Sequence, residues 1–128
     1  MKARLQYTGI RVRDLERSIR FYTQVLGLSV RDRVAFPETG GVVVDLVSEG
    51  SDHPIELNYY ESASPFATAY EAGESLDHLS FTVPDLEAAL KEAERAGFPV
   101  IEEVRTARSR WVYLNDPDGI WIELAERK

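Results

Sequence analysis

Apolar residues follow two rhythms along this chain, and each rhythm occurs twice. From 78 to 83, Leu79, Phe81 and Val83 alternate with His78, Ser80 and Thr82. That is the two-residue period of a half-buried strand. Leu86, Ala89, Leu90 and Ala93 then recur at helical spacing, with Asp85 placed as an N-cap and Gly97 where a positive φ ends a helix. The earlier stretch reads the same way. Asp14 caps a helix whose apolar face is Leu15, Ile19, Tyr22, Val25 and Leu26, and Gly27 stops it. Set side by side, "YTGIRVRDLERSIRFYTQVLGLSV" (7–30) and "HLSFTVPDLEAALKEAERAGFPV" (78–100) are two copies of one unit. Tyr7 matches His78, Val12 matches Val83 and Asp14-Leu15 matches Asp85-Leu86, each 71 positions apart; the second copy reaches its glycine one residue sooner.

Each copy continues through strands to an Ile-Glu-Leu that holds Glu56 in the first and Glu123 in the second. Strands are expected over 40–48, 55–60, 99–104, 110–115 and 120–126, with a strong turn at "NDPDG". "RDRVAFPETG" is expected to be an irregular edge or loop, because of Pro37 and Gly40-Gly41. The expected organisation is α+β: a single domain over 1–128, with a first module over about 1–60, a linker over 61–77 and a second module over about 78–128.

Strand parity sorts the side chains by face. Ile120, Ile122 and Leu124 oppose Trp121, Glu123 and Ala125, and Ile55, Leu57 and Tyr59 oppose Glu56, Asn58 and Tyr60. His78 lies opposite the residues that meet the second helix, and by the repeat Tyr7, Gly9 and Arg11 do the same in the first copy. Tyr7, Glu56, His78 and Glu123 are thereby singled out, and they converge if each sheet curls around a cleft. A lone glutamate in a strand usually faces solvent, and a lone histidine is usually structural; His53 is read so. Two carboxylates and an imidazole at repeat-related positions are instead a donor set for a divalent metal.

Composition narrows the classes. With 22 acidic and 15 basic residues the net charge is −7, which disfavours nucleic acid and anionic membranes as partners. The absence of cysteine excludes disulfides, thiolate ligands and a cysteine nucleophile. "MKARLQYTGI" has no apolar signal region and no run is long enough to span a bilayer, so the expected location is the cytoplasm.

The tandem pattern resembles the vicinal oxygen chelate superfamily: glyoxalase I, bleomycin-resistance proteins, extradiol dioxygenases and methylmalonyl-CoA epimerase. "IRVRDLERSIRFYTQVLGL" resembles the family's opening strand and helix, "DHLSFTV" the strand with the third ligand and "LNDPDGIWIEL" the closing hairpin with the fourth. The resemblance implies two tandem βαβββ modules forming a curved mixed sheet around a metal, often across a homodimer. It places Glu56, His78 and Glu123 as the second, third and fourth ligands. The first, usually His or Gln, is Tyr7. Three outcomes stay open for it: a metal with three protein ligands and waters, phenolate ligation, or weakened or lost metal binding. The missing first histidine counts against a dioxygenase, and Tyr7 and Glu56 together count against an epimerase. Glyoxalase I is matched best, through both glutamates, "IRV" and "TAY". Its arginine that holds a glutathione carboxylate corresponds to Arg11. Its asparagine after the second ligand is replaced by Tyr60, which counts against glutathione.

Two functions are compatible with these residues. One is an enzyme in which a divalent ion (Ni, Co, Zn, Mn or Fe) acts as a Lewis acid on a small oxygenated substrate while a carboxylate moves the proton, Glu123 first and Glu56 second. Arg11 would hold an anionic end, and Tyr60, Trp121 and Tyr113 would shape an apolar pocket; Arg105 and Arg108 read as solvated loop residues. The other is a metal-free, dimeric binding protein for a cationic or aromatic compound, of the bleomycin-resistance kind. The trio Glu56, His78 and Glu123 favours the enzyme.

Overall fold

The structure is a computed structural model that describes residues 7–67, 69–74, 76, 79–105 and 110–126. The chain divides into two compact units, Met1–Ala69 and Tyr70–Lys128. In the first, strand β1 (Thr8–Arg11) leads into helix α1 (Leu15–Arg20), and β2 (Ser29–Phe36), β3 (Gly41–Val47) and β4 (Ile55–Tyr60) come after it. In the second, β5 (Leu79–Val83) leads into α2 (Leu86–Arg95), then β6 (Glu102–Arg105), β7 (Arg110–Asn115) and β8 (Trp121–Glu126). The sheet orders are β1-β4-β3-β2 and β5-β8-β7-β6. In both, the opening strand pairs parallel with the last, and the other pairs are antiparallel. The two units are thus βαβββ copies with a four-stranded mixed sheet each.

The repeat extends to atomic detail at the caps. Asp14 Oδ1 accepts the Arg17 N–H at 2.9 Å, and Asp85 Oδ1 accepts the Ala88 N–H at 2.9 Å. Each such cap contributes about 1 kcal/mol. Gly27 and Gly97 close the helices with φ of 74° and 89°. The one-residue difference between the copies also has a structural cause. Beyond α1 the chain makes a π-helical turn, Phe21–Val25, in which the Leu26 N–H reaches back five residues to the Phe21 carbonyl. A π turn is how a helix absorbs a single extra residue without displacing the chain beyond it.

The core of the first unit lies between α1 and the inner face of its sheet, with Tyr22, Val44, Leu46 and Leu57 fully buried. That of the second lies under α2, with Val112, Leu114, Ile122 and Leu124. Truncating one of these leucines to alanine costs roughly 2–5 kcal/mol. The helix face differs from the pattern expected of it. Ser18 and Phe21 are buried beside Leu15 and Tyr22, whereas Ile19, Val25 and Leu26 are only half-buried.

Two segments sharpen the sequence reading. Of the two alternatives for "RDRVAFPETG" the edge holds: "RDRVAF" belongs to β2, an eight-residue edge strand paired with β3 and carrying a register shift between Val30 and Asp32, and 37–40 form a turn. Every residue of β2 is exposed, so burial imposes no alternation on it. In 99–104 the strand starts at Glu102, after Pro99, which has no N–H to give to a ladder. The "NDPDG" turn is present as expected. Asp116 Oδ1 accepts the N–H groups of Asp118 and Ile120, both at 2.8 Å, and Gly119 takes φ 82°. This turn sets the register of β7 against β8.

Candidate functional site

In each unit the helix covers one face of the sheet and leaves the other uncovered by it. Leu57 and Ile55 point to the core, so Glu56 and Asn58 project from the opposite face of β4. The parallel pairing sets Gly9 beside Glu56 and Arg11 beside Asn58. A methyl group on Gly9 would stand 3.3 Å from Asn58 Nδ2, 3.8 Å from Tyr7 Cε2 and 3.9 Å from Glu56 Oε1. Tyr7, Asn58 and Glu56 therefore cluster around the space that Gly9 leaves open. Tyr7 itself is 46% exposed. Farther along, the Arg11 guanidinium lies 5.6 Å from the centre of the Tyr60 ring, and Tyr60 stacks on Phe66 at 5.6 Å. Gly41, opposite Tyr60 in the ladder, admits that ring; a Cβ there would come within 2.9 Å of it.

In the second unit the antiparallel ladder sets Tyr113 opposite Glu123, on the face turned away from Val112, Leu114, Ile122 and Leu124. The Tyr113 hydroxyl donates to Glu123 Oε2 at 2.7 Å, and the Trp111 indole N–H donates to the Tyr113 oxygen at 3.1 Å. Trp121, 39% exposed, packs against Tyr113 with ring centroids 5.3 Å apart. On the same face the side-chain oxygen of Asn115 is buried without a hydrogen-bond partner among the described residues.

The two glutamates are prepared differently. The cross-strand neighbour of Glu56 is Asp45, another carboxylate, which Arg31 engages at 2.8 Å. Among the described residues nothing hydrogen-bonds the Glu56 carboxylate.

His78 and Arg108 lie outside the described residues. Among the described residues no three His, Asp or Glu side chains gather as a metal-holding group. Each unit by itself carries a donor type that suits a divalent ion: the Glu56 carboxylate with the Tyr7 ring near Gly9 in the first, and the oriented Glu123 carboxylate in the second. His53 Nε2 lies 2.8 Å from Thr8 Oγ1, a bond between the 48–54 loop and the start of β1. Arg105 pairs with Glu103 in a charged group on the helix side of β6 and β7. Arg110 bridges that group to Glu87 at the start of α2. The Arg110 hydrogen bond, with the charges of Arg105 and Arg110, holds the Glu103 carboxyl below the ordinary carboxylate range, against partial desolvation.

Sequence reading assigned Tyr113 to a pocket wall and did not pair it with Glu123. The signal was available: counting outward from the "DPDG" turn across an antiparallel hairpin brings these two residues opposite each other. Asp45, beside Glu56, escaped notice because nothing in the sequence fixes the β3–β4 register.

Comparison with known proteins agrees with this architecture. Residues 4–124 match the model of the Glyoxalase/Bleomycin resistance protein/Dioxygenase superfamily. The chain is 33% identical over 130 residues to uncharacterized protein YwbC of Bacillus subtilis (strain 168), covering 99% of this chain and 100% of that one. It is 33% identical over 130 residues to a lactoylglutathione lyase of Escherichia coli O157:H7, covering 98% and 93%. Among solved structures it resembles the trypanothione-dependent glyoxalase I of Leishmania major, with a TM-score of 0.79 and 30% identity over 98% of this chain and 87% of the other.

Proposed function

This chain belongs to the glyoxalase/bleomycin resistance protein/dioxygenase superfamily, and from that premise we propose that it is a metal-dependent, glyoxalase-like lyase for a small oxygenated substrate. The observation that carries the proposal is the matched pair of carboxylates. Glu56 and Glu123 stand at corresponding places in the two units, each on the sheet face its helix leaves uncovered.

In this reading Glu56, His78 and Glu123 hold one divalent ion (Ni, Co, Zn, Mn or Fe), and Tyr7 stands at the remaining position. The ion supplies Lewis acidity to adjacent substrate oxygens. Glu123 takes a proton from the carbon next to a substrate carbonyl and delivers it to the neighbouring carbon, with Glu56 as the second base. Arg11, laid over Tyr60, holds an anionic end of the substrate, and Tyr60 and Trp121 supply apolar walls. The relatives' names point to a thiol conjugate, lactoylglutathione in one and a trypanothione-dependent reaction in another. Tyr60 beside Arg11 turns the expectation toward a thiol other than glutathione.

Metal analysis of protein purified without added metal tests the reading, together with assays of lactoyl-thioester formation from a 2-oxoaldehyde and a panel of thiols. One divalent ion per subunit is expected, with turnover lost about 100-fold or more in Glu123→Gln. A second reading, a metal-free binder of cationic or aromatic compounds, draws on the exposed rings of Tyr7, Phe66 and Trp121 and the net charge of −7. No metal after soaking in Ni²⁺, Co²⁺, Mn²⁺ or Zn²⁺, together with no turnover, selects that second reading.

A further inference from the structure

The hydrogen bonds behind Glu123 run in one direction only. An indole nitrogen can donate but cannot accept. Since Trp111 donates to the Tyr113 oxygen, the phenolic proton is left to point at Glu123 Oε2, where the 2.7 Å separation is short and charge-assisted. The ring of Tyr113 is held in turn by Trp121. From the β7 side the Glu123 carboxylate is therefore oriented by a phenol. At the corresponding place in the first unit the neighbour is Asp45, which has no proton to donate when ionised. Orientation by a phenol is thus a property of one glutamate and not of the repeat.

We propose that Tyr113 is a positioning residue for Glu123: its hydroxyl, aligned by Trp111, holds the carboxylate ready for metal ligation and proton transfer. The proposal rests on the reading of Glu123 as a metal ligand. A pre-oriented ligand spares the ordering entropy that a free side chain loses on binding, and removing a partner that orients a ligand typically weakens metal affinity about 10–100-fold.

The test uses Co²⁺ alone, titrated into the metal-stripped full chain and monitored by its visible absorption. In Tyr113→Phe the ring packing is kept and the donor removed. Affinity for Co²⁺ is expected to fall about 10–100-fold with a shifted visible band, while the thermal midpoint stays close to that of the unmodified chain. Trp111→Phe keeps the phenol but removes its own donor, and a smaller loss in the same direction is expected. If both variants bind Co²⁺ with unchanged affinity and spectrum, Tyr113 does not position the ligand, and the metal reading stands without it. If the unmodified chain binds no Co²⁺, the metal reading falls and this inference falls with it. Should Tyr113→Phe fail to fold, Trp111→Phe decides alone by the same two outcomes.

Discussion

In the proposed metal site Tyr7 stands where the resemblance expects a histidine or glutamine, and its ring lies beside Glu56 at the opening left by Gly9. A neutral phenol is a poor ligand. Tyr7→His supplies an imidazole, a good donor for late divalent ions. Affinity for Co²⁺ or Ni²⁺ is expected to rise by roughly tenfold, about 1.4 kcal/mol, measured by competition with a chelator. A sharp drop in Tyr7→Phe would instead identify phenolate ligation. Individual faces were legible in the sequence because period-two alternation decides them: Leu57 and Leu124 had to be inside, so Glu56 and Glu123 had to be outside. The partner of Glu123 could be counted from the DPDG turn, but that of Glu56 could not, because apolar alternation leaves the β3–β4 register undetermined.

Among the elements, the π-helical turn gives the most direct test of the duplication. Thr23 lies within it, and among the described residues its hydroxyl bonds back to the Ile19 carbonyl. Removing Thr23 gives the first copy the length of the second. Such a chain is expected to unfold cooperatively within about 2 kcal/mol of the original. Removing Ala89 from α2 instead rotates all later positions by about 100°, takes Ala93 off the buried face, and is expected to cost several kcal/mol; thermal melts distinguish the two. The charged group on β6, β7 and α2 has a signature in pH. The folded Glu103 carboxyl titrates below its unfolded value, so the stabilisation is fully present above the ordinary carboxylate range. It is lost as pH falls through the lowered value. Glu103→Gln should flatten that acid limb in a pH series of urea midpoints, and added salt should weaken it. The caps and the strands buried on one face were legible in advance. The full length of edge strand β2 and the buried Ser18 were not, since an all-exposed strand has no buried face to set its alternation and a small polar core residue carries no apolar signal.

At the scale of the whole molecule, the expected assembly is a homodimer. Each unit has a polar sheet face uncovered by its own helix, and the resemblance to the family implies that such faces pair between different chains. Sedimentation should give twice the chain mass at micromolar concentration; a monomer throughout would remove this arrangement. Strand β2 has a consequence for how the protein behaves in bulk. It ends its sheet and, among the described residues, pairs only with β3, while Val30, Val34 and Phe36 stand exposed along it. An edge of that kind is a template for amyloid-like stacking. Three features interrupt it: the register shift between Val30 and Asp32, the Arg31–Asp45 pair and the Arg33–Glu16 pair. Replacing Arg31 and Arg33 with threonine would leave an eight-residue ribbon with little charge. Such a protein would keep its melting behaviour in dilute solution yet turn turbid and bind thioflavin on concentration.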